Sequence, residues 1–135
     1  MDVLKRNTDY ALRAMAFLAK NYGGDPVSTR LIAEKEEISY QLACKLMQKL
    51  HDAGLVSSKM GPKGGFALTR KPDEIDLLTV IKAVQGPISV NRCQQIDGGC
   101  PRHIFCPLTG AIDGLQKNIN EYLSSATLGG LLKGK

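Results

Sequence analysis

Three helical patterns followed by a glycine-rich hairpin fill the first 70 residues, and their order restricts the fold more than any other feature. Apolar residues recur at helical spacing over residues 4–21, where a glycine pair and a proline end the pattern. Ser28 is a candidate N-cap for a short second helix, and Ser39 is one for a third helix over residues 40–53. We therefore predict a mainly α domain that is closed by a small β-hairpin.

The third helical pattern separates an apolar arc from a polar and cationic arc. The apolar arc consists of Leu42, Ala43, Leu46, Met47 and Leu50. The polar arc consists of Gln41, Lys45, Gln48, Lys49 and Asp52. Gly54 follows as a helix stop, and residues 55–59 and 66–69 predict two strands around a basic, glycine-rich tip. One face of this helix is predicted to be core and the other to be available to a partner.

Helix, short helix, amphipathic helix and hairpin is the element order of a winged helix-turn-helix, a fold that reads double-stranded DNA. The net charge is +5, and residues 1–70 hold 11 Lys and Arg against 7 Asp and Glu. The excess of positive charge therefore lies with the predicted reading elements. Glutamine and lysine side chains can read base edges, which we assign to Gln41, Lys45 and Gln48. We expect contacts to phosphate from Lys59 and Lys63 on the wing, with Arg6 and Arg13 as further candidates, and we include Lys49 among the DNA-binding residues.

The second half of the chain predicts a different role. Residues 77–84 form a helical pattern that Gly86 and Pro87 end, and a cysteine-rich stretch follows. Apolar residues then recur at steps of four and three, the seam spacing of helices that pack along their length. These are Leu108, Ile112, Leu115, Ile119 and Tyr122. We predict a DNA-binding domain over residues 1–75, a sensor and dimerisation region over 76–135, a homodimer, and a frayed tail from residue 128.

Cys93, Cys100 and Cys106 lie within fourteen residues, close enough for three thiolates to bind one soft metal centre. An iron-sulfur cluster accepts such uneven spacing and one ligand that is not cysteine. Zinc is the alternative, because His103 would complete a Cys₃His tetrahedral site. A thiol-disulfide switch without metal is a further alternative.

Several functional classes find no support in the sequence. No apolar run is long enough to span a bilayer, and charged residues interrupt any signal-peptide core at the N-terminus, so we expect a cytoplasmic protein with no membrane partner. The glycine-rich residues 61–65 lack the spacing and the Lys-Ser/Thr end of a phosphate-binding loop. With no Ser/His/Asp or Cys/His arrangement either, we expect no enzyme.

Five stretches together resemble the Rrf-type family of winged-helix transcription regulators, with IscR-like and NsrR-like members. They are TDYALRA at residues 8–14, LMQKL at 46–50, AGLV at 53–56, GPKGGFAL at 61–68 and LTVIKAVQGP at 78–87. The three cysteines follow in the family's order. The resemblance covers nearly the whole chain.

The resemblance implies a dimeric repressor or activator, and we favour a repressor, in which an iron-sulfur cluster on the three cysteines changes the affinity for operator DNA. The signal would be redox state, nitric oxide or iron and cluster status. IscR-like members complete a 2Fe-2S site with a histidine at the position of Thr109. NsrR-like members complete a 4Fe-4S site with an aspartate of the other subunit, which Asp9 matches. We therefore favour 4Fe-4S over 2Fe-2S, with His103 as the alternative fourth ligand.

Overall fold

The structure of the protein is a computed structural model that describes residues 3–90 and 107–133. Its elements are α1 (Arg6–Lys20), α2 (Thr29–Glu36), α3 (Tyr40–Asp52), β1 (Val56–Lys59), β2 (Gly65–Leu68), α4 (Leu77–Gln85), α5 (Thr109–Ser125) and α6 (Leu128–Leu132). A 3-10 turn over Pro72–Glu74 precedes α4. The predicted fold class, mainly α with a β-hairpin wing, is confirmed.

Local hydrogen bonds set the starts of the two central helices, as predicted. The Ser28 hydroxyl accepts a bond from the backbone N–H of Leu31 at 3.2 Å, and the Ser39 hydroxyl accepts one from Leu42 at 3.1 Å. Each serine thereby satisfies an amide that the first turn of a helix leaves without a partner. Between them, Glu37 adopts a left-handed conformation with φ 55°, which turns the chain sharply from α2 into α3.

The core forms where α3 and α1 bury their apolar faces. On α3, Ala43, Leu46, Met47 and Leu50 are buried, and Leu42 is half-buried, so the predicted apolar arc is confirmed. On α1 the buried residues are Thr8, Ala11, Ala14, Met15, Leu18 and Ala19. Helices α2, α3, α4 and α6 and strand β2 all pack against α1. The first helix is therefore the central element of the fold.

The wing is an antiparallel hairpin in which Val56 lies opposite Leu68 and Lys59 opposite Gly65. A short bridge fixes it to the segment before α2, because Val27 and Phe66 exchange two backbone hydrogen bonds of 2.8 Å. A side chain at Gly65 would collide with the Val27 carbonyl, so glycine is required for this approach. The position of the wing relative to α2 is thus set by main-chain contacts.

The chain end differs from the predicted frayed tail, and that prediction is wrong for residues 128–133. Residues 128–132 form α6, in which Leu128 is completely buried and packs into the core cluster. The backbone N–H of Leu77 donates to the Ala126 carbonyl at 2.8 Å, and that of Leu128 donates to the Ile75 carbonyl at 3.0 Å. These bonds hold the chain around residues 126–128 beside the start of α4. The glycine-rich composition of residues 128–135 did not indicate this position.

Within the described residues, no helix has the length and apolar character needed to cross a membrane.

Replacing Leu128 with alanine should lower the free energy of unfolding by about 2–5 kcal/mol, because it removes a fully buried side chain and leaves a cavity. Urea denaturation measures the effect. Leu132→Ala is the matched control, since Leu132 lies on the same helix but is 38% exposed. Equal losses in the two variants would show that α6 is not anchored through Leu128.

Candidate nucleic-acid interface and metal centre

The outward arc of α3 offers polar side chains to a partner. Gln41 and Lys45 are exposed. Gln48 is exposed as well, and its side-chain amide donates to the Asp52 carboxylate at 2.8 Å. This bond fixes the orientation of the Gln48 amide and leaves its carbonyl oxygen as an acceptor. The arrangement can read base edges in a major groove, where amide and ammonium groups match the exposed donors and acceptors of bases.

Lys49 occupies a different environment from the other polar residues of α3. Its ammonium donates to the Val84 carbonyl near the end of α4 at 3.2 Å. The same region holds Lys5 and Arg6 at the start of α1. The structure therefore brings Lys49 and Arg6 together at one cleft, apart from Gln41 and Lys45 at the other end of α3.

The wing carries the remaining predicted DNA contacts. Lys59 ends β1, Lys63 lies on the turn, and both side chains are exposed. A cleft of about 440 Å³ separates the wing from the helices. It is lined by Ser28, Thr29, Arg30, Tyr40, Ser58, Lys59, Met60, Gly61, Pro62, Gly64, Gly65 and Phe66. Helix starts, a glycine-rich turn and cations border this cleft, a combination suited to a phosphate backbone.

Two residues of this cleft, Arg30 and Tyr40, were not identified from the sequence. The Arg30 guanidinium lies 5.0 Å from the centre of the Tyr40 ring, a cation–π arrangement that links α2 to the start of α3. A hydrogen bond with the Cys44 side chain raises the pKa of Tyr40 above its ordinary value. Their positions in the first turns of α2 and α3, beside the predicted N-caps, are the signal that could have identified them.

Cys93, Cys100, Cys106 and His103 lie outside the described residues. Within residues 3–90 and 107–133, no group of three or more His, Cys, Asp and Glu side chains is placed to hold a metal ion. The chain leading into the cysteine segment is nonetheless well fixed. Gln116 of α5 donates to the Ile88 carbonyl at 2.8 Å and accepts a bond from the Val90 amide at 2.9 Å. The cysteine segment thus follows a stretch of main chain that Gln116 of α5 holds in place.

Of the proposed metal ligands, only Asp9 lies within the described residues. It lies in the first turn of α1, and its side chain is 51% exposed. The Arg13 guanidinium donates to one of its oxygens at 3.2 Å. Exposed ion pairs of this kind contribute only about 0–1 kcal/mol, so the carboxylate can exchange Arg13 for another partner. The Asp9 carboxylate is therefore accessible from the surface of α1.

Glu36 on α2 faces the same pair from the neighbouring helix. Partial burial raises the pKa of Glu36, Arg13 lowers it, and Asp9 raises it, so that the net shift is upward. The folded chain therefore binds this proton more tightly than the unfolded chain does. The associated stability is fully present below the ordinary pKa of 4.5 and is lost as pH rises through the raised value.

Glu36→Gln should accordingly raise Tm at pH 7, because the amide mimics the protonated carboxyl. The advantage should shrink as the pH falls and disappear below the ordinary carboxyl pKa of 4.5. Thermal unfolding followed by circular dichroism across this range measures it, with Glu34→Gln on the exposed side of α2 as control. A Tm difference that stays constant with pH would contradict the assignment to Glu36 ionisation.

Comparisons with known proteins agree over nearly the whole chain. The Rrf2 family model, described as an iron-dependent transcriptional regulator, matches residues 4–134. The chain is 35% identical over 124 residues to the transcriptional regulator IscR of Vibrio campbellii, covering 92% of this chain and 73% of that protein. It is 34% identical over 123 residues to IscR of Escherichia coli, covering 91% and 75%.

Comparison with solved structures agrees with the sequence comparisons. CymR, the global cysteine regulator of B. subtilis, superposes with a TM-score of 0.81 at 30% identity, covering 100% of this chain and 99% of that one. IscR of T. potens superposes with a TM-score of 0.78 at 30% identity, covering 97% and 86%. The chain therefore belongs to the Rrf2 family and is a transcription regulator of the Rrf2/IscR type.

Proposed function

We propose that this regulator is a homodimeric, cytoplasmic repressor whose affinity for operator DNA is controlled by an iron-sulfur cluster on Cys93, Cys100 and Cys106. Residues 1–75 read the DNA, and residues 76–135 hold the cluster and join the subunits. The observation that carries the proposal is the course of the chain around the cysteine segment. It joins α4, which packs against α1 and α3, to α5, which presents the seam residues.

The donor set suits a cluster. Cysteine thiolates are the usual ligands of iron-sulfur clusters, and ligands other than cysteine can replace some of them. Asp9 of the partner subunit is our choice for that ligand, because its carboxylate is half-exposed on α1. This choice favours 4Fe-4S over 2Fe-2S. Structural zinc on the same cysteines with His103 is the alternative within the same site.

DNA recognition is divided between base edges and phosphates. Gln41, Lys45 and Gln48 supply the base contacts from the outward arc of α3, which is exposed. Lys59 and Lys63 supply phosphate contacts from the wing. Two such heads in a dimer match the two-fold symmetry of an operator with two half-sites.

Dimerisation rests on the apolar face of α5. No residue of this helix is buried, although it carries the seam residues. Leu115 is 49% exposed and Tyr122 71% exposed. A groove of about 340 Å³ lies beside them, lined by Val3, Leu4, Asn118, Ile119, Tyr122 and Leu123. An apolar stripe at heptad spacing is stabilised by packing against a second helix of the same kind, which a second copy of the chain provides.

One specific observation favours a second candidate function. CymR, which superposes over the whole chain, is a regulator of cysteine, so the signal could be thiol or cysteine status with no cluster involved. The cysteine segment would then act through a disulfide or a modified thiol. Metal and sulfide content separates the two functions.

Leu115→Asp should convert the dimer into a monomer, because it places a carboxylate in the apolar seam without disturbing a buried core. Sedimentation velocity measures the mass, and circular dichroism checks the fold. Lys117→Asp is the control, since Lys117 lies on another face of α5 and is 76% exposed. If Leu115→Asp remained dimeric, the α5 seam would not be the interface.

Protein purified without oxygen should be brown, with iron and acid-labile sulfide in stoichiometric amounts, and operator affinity should differ at least fivefold between cluster-bound and apo protein. Anisotropy with a labelled operator measures the affinity. Colourless protein with stoichiometric zinc would support the zinc alternative. Metal-free protein whose affinity follows thiol oxidation would support the cysteine-status alternative.

In the same preparation, Asp9→Ala should change the visible spectrum or lability of the cluster while leaving the dimer intact. His103→Ala is the matched comparison. An unchanged cluster in Asp9→Ala and an altered one in His103→Ala would show that His103, and not Asp9, is the fourth ligand.

A further inference from the structure

We propose that the cleft between the start of α1 and the ends of α3 and α4 binds a backbone phosphate of operator DNA. Lys5, Arg6 and Lys49 supply the charge, and Gln85 positions the start of α1. This inference rests on the proposed DNA-binding function and adds to it a third contact region, distinct from the outward arc of α3 and from the wing.

The cleft has the size and lining of an anion site. Its volume is about 490 Å³, and its lining is mainly polar. Seven residues border it: Lys5, Arg6, Asn7, Thr8, Lys49, Val84 and Gln85. Three of them are cations that come from two separate helices and the residue preceding α1. Their convergence is therefore a product of the tertiary fold.

The positive charge of this cleft has no neutralising partner in the described part of the chain. Residues 3–90 and 107–133 place no carboxylate in an ion pair with Lys5, Arg6 or Lys49. The Lys49 ammonium donates to the Val84 carbonyl, which uses one of its three N–H groups. Clustered cations repel one another unless an anion binds between them, and a phosphodiester supplies that charge.

The position of the cleft relative to the base-reading residues also fits DNA. Lys49 follows Gln41 by eight residues on α3, which corresponds to about 12 Å along the helix axis. The major groove is about 12 Å wide. The Lys49 end of α3 is therefore separated from Gln41 by about one groove width, and the start of α1 lies beside it.

Gln85 holds the start of α1 in place. Its side-chain oxygen accepts bonds from the backbone N–H of Lys5 at 3.0 Å and from the Thr8 hydroxyl at 2.6 Å. Its amide nitrogen donates to the Val3 carbonyl at 2.9 Å. Thr8 is fully buried, so this bond is protected from water. A neutral side chain performs this role, which leaves the positive charge of the cleft undiminished.

The test measures binding of an operator duplex and a scrambled duplex from 50 to 200 mM salt. Arg6→Gln and Lys49→Gln should each weaken both duplexes alike and make the slope of log affinity against log salt shallower by about 1. Gln85→Glu, which places a negative charge in the cleft, should do the same. Lys20→Gln is the control, because Lys20 is exposed at the far end of α1.

Cleft variants that keep the wild-type slope, as Lys20→Gln should, would overturn the proposal. Gln41→Ala keeps this failure distinct from failure of the DNA-binding function: it should reduce the preference for operator over scrambled DNA without changing the slope. A wild-type protein that binds neither duplex would overturn both. Melting curves of each variant verify that it is folded, and Arg6→Gln, which removes no recorded hydrogen bond, serves if Lys49→Gln is unstable.

A free phosphate ion offers the cleft the same chemistry as a backbone phosphate of DNA. A second measurement distinguishes the two ligands. Inorganic phosphate replaces chloride at equal ionic strength, and Tm is measured without DNA for wild type and Lys49→Gln. We expect the same change in both proteins. A rise in the wild type alone, with an unaltered DNA salt slope in the variants, would overturn the assignment to DNA and make the cleft a small-anion site.

Discussion

Packing around α1 is the constraint on which the other elements depend. Ala11, Ala14 and Ala19 line its buried surface together with Met15 and Leu18. Small side chains let neighbouring helices approach closely, and α2, α3, α4 and α6 all use this surface. Helix α3, which carries the outward polar arc, and helix α4, which precedes the cysteine segment, therefore both pack against α1. A shift of either changes the packing that holds the other.

Features set by neighbouring residues could be predicted from the sequence. Ser28 and Ser39 cap their helices through bonds to amides three residues later, so the starts of α2 and α3 follow from local chemistry. The burial of Leu128 could not be predicted in this way. It depends on main-chain bonds to Ile75 and Leu77, about fifty residues earlier, and no local pattern records them.

The candidate site likewise has parts that could be predicted from the sequence and parts that could not. Helical periodicity placed Gln41 and Lys45 on an outward arc, and their exposure agrees with that placement. Periodicity alone also placed Lys49 there, but the end of α4 supplies an acceptor that draws its ammonium to another surface. The spacing of the cysteines indicates a metal-binding segment, whereas a fourth ligand from a second subunit is a property of the assembly. One chain's sequence could suggest Asp9 only through the family resemblance.

The paired main-chain bonds at residues 75–77 and 126–128 make the region from α4 through α5 an excursion of the chain that begins and ends at one place, with α4 itself packed against α1 and α3. The free-energy cost of closing such an excursion grows only with the logarithm of its length. The chain that follows α4 can therefore gain, lose or exchange residues while α4 keeps its packing against α1 and α3. One scaffold therefore serves relatives as different in name as a global cysteine regulator and IscR, both of which superpose on this chain.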